Sequence, residues 1–152
     1  MRRLLIIALV ALATVVAAQD FDDGNVLLPA RYPTKDTFGH GFNFCRALYK
    51  SASRPREVGG MGWATDYPAA DRNFSVRFAE MTLARVTRIL ARDGTRRDPE
   101  FVVIQVSSDN LFQCPYLHTE DVGWAELTID EVKNLRAYLL KGGFIWVDDF
   151  WG

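Results

Sequence analysis

Between Thr128 and Asp149 the chain reads TIDEVKNLRAYLLKGGFIWVDD, a helix signal that runs into a strand signal with almost nothing between them. Thr128 is a good N-cap, and Glu131 three residues later completes a capping box. Val132, Leu135, Leu139 and Leu140 recur at helical spacing along one face, with Tyr138 at its edge. Gly142-Gly143 stops the helix in the left-handed conformation that glycine permits. Phe144 to Val147 then reads as a buried strand ending on the twin acids Asp148 and Asp149. A weaker strand signal, Pro115 to Thr119, precedes the helix, so the segment predicts a right-handed strand-helix-strand unit. Sheets built of such units are mostly parallel and carry helices on both faces. The fold class expected is therefore α/β.

The rest of the chain extends this pattern. Phe101 to Val106 is a continuous β-branched run, as expected of a strand buried on both sides. Phe42 to Tyr49 is aromatic-rich and fits a first strand. Asp71 is placed to cap a helix from about Arg72, whose apolar stripe is Phe74, Phe78 and Met81. Ser51 to Gly62 holds Pro55, Gly59, Gly60 and Gly62 and reads as a loop. Arg85 to Leu90 suggests a short strand and Asp93-Gly94 a turn. Residues 19–37 have little periodicity and form a lead-in arm, and residues 38–152 form the α/β domain. The chain stops three residues after its last strand, an open edge expected to be sticky, so it reads as C-terminally truncated.

Composition supports one domain. The chain has 152 residues, 49% hydrophobic and 24% charged, with 18 Lys+Arg against 19 Asp+Glu. A net charge of -1 leaves no basic footprint, which argues against nucleic acid as the partner. Arg2-Arg3, the apolar run Leu4 to Val16 and the small residues Val16-Ala17-Ala18 have the pattern of a secretory signal peptide over residues 1–18. That run falls short of the roughly 20 residues a spanning helix needs, and no later stretch is long enough. The mature part is expected to be exported, periplasmic or in the cell envelope, without a membrane span. Cys45 and Cys114 could pair in such a compartment. Their apolar neighbours, Phe44 and Phe112, favour two buried free thiols instead.

Ligands of open α/β sheets bind outside the carboxyl ends of the strands. Asp148 and Asp149 stand at such an end, facing opposite sides, as candidate metal ligands, bases or polar-ligand anchors. Gly62 to Phe74 packs Trp63, Asp66, Tyr67, Asp71, Arg72 and Asn73 into a loop leading into a helix, on the same side of the sheet. His118 ends a strand near that rim, whereas His40 stands between glycines and is expected at the surface. The candidate ligand-binding set is Trp63, Asp66, Tyr67, Asp71, Asn73, His118, Asp148 and Asp149. Asp66, Asp71 and Asp148 could offer a divalent cation an all-oxygen site, and aromatic rings beside acids suit a small, polar, sugar-like ligand. Phosphate-loop, dinucleotide and zinc-protease motifs are absent from the sequence, as is a nucleophile elbow. The alternative to a ligand site is an envelope module in which Trp63, Phe150 and Trp151 dock another protein.

Three segments resemble one family. They are Trp63-x-Thr65-Asp66-Tyr67-Pro68-x-Ala70-Asp71-x-Asn73, then Leu111-Phe112-Gln113-Cys114-Pro115-Tyr116, and Leu135 through Gly152 with its Asp-Asp-Phe-Trp-Gly ending. Together the chain looks like a member of the domain of unknown function 4159 family. The resemblance implies a flavodoxin-like domain, similar to class I glutamine amidotransferases and ThuA-like proteins, with export or envelope association and members that continue past residue 152. It implies no established activity. Neither the amidotransferase nucleophile nor its downstream His-x-Glu is matched here, so the analogy concerns the fold alone.

Overall fold

The computed structural model describes residues 30–39, 41–52, 62–90, 97–99, 101–148 and 150. Four parallel strands make the central sheet: β1 (Phe44–Leu48), β5 (Phe101–Gln105), β6 (Tyr116–Glu120) and β8 (Phe144–Asp148). Their order across the sheet is β5-β1-β6-β8. The chain thus runs outward from β1 to β5, then reverses and continues on the other side of β1. That is the flavodoxin-like order, with its topological switch between β1 and β6. Two small antiparallel ladders decorate it: β2 (Lys50–Ser51) with β7 (Ala125–Glu126), and β3 (Arg88–Leu90) with β4 (Arg97–Pro99). Helices α1 (Ala69–Thr82) and α2 (Ile129–Leu140) cover the two faces. The expected signal peptide over residues 1–18, His40, the expected turn at Asp93-Gly94, Asp149 and Trp151 lie outside the described residues. Among the described residues, no helix is long and apolar enough to cross a membrane.

Strand alternation gives each face its character. Cys45 and Ala47 of β1, Val102 and Ile104 of β5 and Leu117 of β6 point to one side. There they bury with Val106, Leu111, Cys114 and Tyr138 as the main core, and Leu135 of α2 packs against it. Phe44, Arg46, Tyr116 and His118 point to the other side, where Phe74 of α1 lies 5.2 Å from Phe44 and 5.1 Å from Tyr116, between ring centres.

Cys45 and Cys114 are not free thiols. They form a disulfide with 6.1 Å between Cα atoms. The pairing of Cys45 with Leu117 brings the start of β6 beside β1, so Cys114, three residues earlier, meets Cys45 in the core. Apolar neighbours do not distinguish a buried thiol from a buried disulfide.

Other expectations are corrected in detail. Helix α1 begins at Ala69 after Pro68, before the expected start. Asp71 therefore lies in its first turn, where it serves Arg46 and not the cap. Phe74 and Phe78 of the expected stripe pack on Phe42, but Met81, one turn further, is 83% exposed. Thr128 and Glu131 form the expected capping box. The buried stripe of α2 is rotated, however: Tyr138 is 2% exposed, while Val132, Leu139 and Leu140 face out. Two polar anchors set that rotation. The Tyr138 hydroxyl donates to the Phe144 carbonyl at 3.1 Å, and Asn134 Nδ2 donates to the Val106 carbonyl at 3.1 Å.

The two glycines after α2 serve different ends. Gly142 takes the left-handed φ of 90° that ends the helix. A Cβ on Gly143 would lie 2.4 Å from the Tyr138 ring. The strand that follows is not buried: Phe144, Trp146 and Val147 of β8 are half exposed. Among the described residues its one sheet neighbour is β6.

Candidate functional site

The carboxyl ends of β1 and β6, at the switch in strand order, hold a buried group of charges. Arg46 sits in mid-strand in a sequence otherwise apolar, Phe44-Cys45-Arg46-Ala47-Leu48, and is 0% exposed. Its five N–H groups all find acceptors. Nε donates to Asp71 at 3.0 and 3.1 Å, and one terminal nitrogen donates to Asp71 Oδ2 at 2.8 Å and Glu120 Oε1 at 3.2 Å. The other terminal nitrogen donates to the carbonyls of Trp63 and Thr65, each at 3.0 Å. Burial works against the charge on Arg46. The hydrogen bond and charge of Asp71, then Glu120, outweigh it and hold the pKa above the ordinary arginine value.

His118 extends the network. Its Nε2 shares a 2.7 Å hydrogen bond with Glu120 Oε1, and the Tyr116 hydroxyl stands 3.4 Å from Nδ1. Burial pushes the Tyr116 hydroxyl up to about 12. The Tyr67 hydroxyl is also raised, by burial first. His118 and Glu120 are two residues apart on a strand, so both side chains point to the same face. Register then sets Arg46 opposite His118, and Asp148 beside Glu120.

Two further elements close the rim. Residues Gly62–Ala64 form a 3-10 turn that carries Trp63, whose ring lies 5.5 Å from that of Tyr67. Tyr67 meets Phe101 edge-on at 5.7 Å and accepts a hydrogen bond from the Arg31 backbone. Asp121 joins this turn to the last strand: its carboxylate accepts from Gly62 N at 3.1 Å, and its own N–H donates to the Asp148 carbonyl at 3.0 Å. Asp66 and Asp121 both adopt left-handed backbone, with φ of 57° and 54°, which Asp tolerates better than most residues.

The residues expected from sequence fall into three groups. Trp63, Tyr67, Asp71 and His118 belong to one connected assembly centred on Arg46 and Glu120. Asp148 reaches the same rim through Asp121, with its side chain exposed. Asp66 and Asn73 are also exposed, while Asp149 lies outside the described residues. The cation site imagined for Asp66, Asp71 and Asp148 does not form: among the described residues no three His, Cys, Asp or Glu side chains are grouped to hold a metal. Asp71 is instead engaged by Arg46.

Arg46, Glu120 and Asp121 were not among the expected residues. A lone arginine inside a core strand signals a buried partner, and the expectation that the chain has no His-x-Glu is corrected by His118-Thr119-Glu120, whose ends share a strand face. Chemically, the assembly is filled by its own side chains. Pinning the Trp63 and Thr65 carbonyls and the Gly62 amide, it fixes the backbone of the aromatic turn.

The profile of the family described as domain of unknown function (DUF4159) matches residues 56–152. No curated protein and no solved structure matches the chain.

Proposed function

Since the chain belongs to the DUF4159 family, we propose that its domain is an exported binding module taking a small, polar, sugar-like ligand at the carboxyl rim of the sheet. One observation carries the reading: Asp121 ties the Trp63 turn and the Asp148 strand end together at the topological switch, where open α/β sheets bind ligands. Trp63 and Tyr67 supply aromatic faces, Asp66 and Asp148 exposed acceptors. Arg46, Asp71, Glu120 and His118 position these groups from beneath. Export is supported by the signal-like residues 1–18 and by the Cys45–Cys114 bond, since such bonds persist in oxidising compartments.

The test is a thermal-shift and titration panel of neutral and acidic sugars against the full chain. Binding that is lost in Trp63→Ala and Asp148→Ala, both still cooperatively folded, supports the reading. A panel without response, or responses indifferent to both substitutions, overturns it.

A second reading, an envelope module that docks another protein, is favoured by the exposed aromatic side chains of Phe144, Trp146 and Phe150. It expects Trp146→Ala to abolish capture of the partner without altering any sugar response.

A further inference from the structure

A second feature of the carboxyl rim lies at the end of β5, apart from the Arg46 network. Tyr32 and Pro33 of the arm face Ile104 and Gln105 of β5, and Ser108 and Asn110 beyond it, across an open cleft of about 280 Å³. That is close to the smallest size of small-molecule sites. Among the described residues no charged side chain lines the cleft, and a buried ionic group needs such a partner. The described lining is neutral and able both to donate and to accept. The Gln105 and Asn110 amides each offer donors and an acceptor, a match for neighbouring hydroxyls on one ring. Tyr32, half exposed, adds an aromatic face for the apolar side of such a ring.

The walls are held in place before any ligand arrives. Ser108 Oγ accepts from Asn110 N at 3.2 Å, and the turn that follows is anchored by the fully buried Leu111 and by Cys114, bonded to Cys45. On the opposite wall Val103 N donates to the Arg31 carbonyl at 2.7 Å, fixing the arm against β5. The strand edge is thereby taken at Val103, which disfavours a peptide adding there as a further strand. Rigid walls lower the ordering cost of binding.

We propose that this cleft is a binding subsite for an uncharged saccharide. It stands on the cleft's own residues and does not depend on the Trp63 rim. The experiment is an amide chemical-shift titration of the oxidised full chain with maltotetraose, cellotetraose and tetraacetylchitotetraose. Glucuronate and a neutral tetrapeptide serve as comparison ligands. At least one neutral sugar is expected to move the Gln105, Ser108 and Asn110 amides. Gln105→Ala and Tyr32→Ala, both surface changes, should each weaken it about tenfold, and Trp63→Ala should leave those shifts intact. The proposal falls if no neutral sugar moves these amides, if binding ignores Gln105→Ala and Tyr32→Ala, or if glucuronate or the peptide binds more tightly. Loss through Trp63→Ala alone would assign the sugar to the switch point and refute the cleft.

Discussion

The two faces of the sheet are built from alternate residues of the same strands, yet they are stabilised by different means. Toward α2, Cys45, Ala47, Val102, Ile104 and Leu117 bury apolar area and are closed by a covalent bond. Toward α1, Phe44, Tyr116 and His118 surround a buried guanidinium and two buried carboxylates. Burial on the α2 side stabilises in proportion to area. On the α1 side, desolvation of each ion costs several kcal/mol and is offset only while every partner is in place. The α2 face should therefore respond to mutation by degrees, and the α1 face by collapse of a set.

The sharpest way to break this contrast is Asp71→Ala. It strands a fully buried Arg46 and is expected to cost about 3–5 kcal/mol in chemical denaturation. The double change Arg46→Met with Asp71→Leu should recover much of that loss, whereas a second loss on top of the first would show the two sites to be independent. On the α2 face, reducing Cys45–Cys114, which spans 69 residues, is expected to cost about 2–4 kcal/mol. Equal denaturation midpoints with and without reductant would remove the bond from the account. Gly143→Ala drives a methyl into the Tyr138 ring and should cost about 1–3 kcal/mol, the usual penalty of overpacking. Thr128→Ala removes the capping box at the start of α2, for about 1 kcal/mol.

The smallest effect at neutral pH belongs to Tyr116. Burial disfavours the phenolate and pushes the hydroxyl up from the ordinary tyrosine value to about 12. Folding thus retains the proton more tightly, so the associated stability is complete below pH 10 and is lost as pH rises toward about 12. Alkaline unfolding should be shallower in Tyr116→Phe, while identical profiles would show that the α1 face does not govern that limb.

Much of this contrast can be read from sequence, and the part that cannot has a physical cause. The run Phe101 to Val106, the Thr128 box and the glycine pair are local signals, and local chemistry places them correctly. Tyr138 reads as the edge of its helix because apolar periodicity cannot weigh a hydroxyl that finds the Phe144 carbonyl across a turn. Phe144 to Val147 reads as buried because hydrophobicity does not say whether a strand has neighbours on both sides. Within the candidate site, Trp63, Tyr67, Asp71 and His118 were visible as chemistry-bearing residues. Arg46 and Glu120 stand outside that set, since Arg46 meets Asp71 of α1 across 25 residues and Glu120 of β6 across 74, contacts that only the tertiary fold creates.

The Cys45–Cys114 bond makes the intervening chain a closed covalent ring that takes in α1 and β5. One consequence is topological. A protease that cuts once inside this ring releases nothing: both pieces migrate as a single species until a reductant separates them. Cleavage within the ring therefore leaves the two pieces covalently joined, and an unbroken band on a non-reducing gel does not by itself attest an unbroken polypeptide.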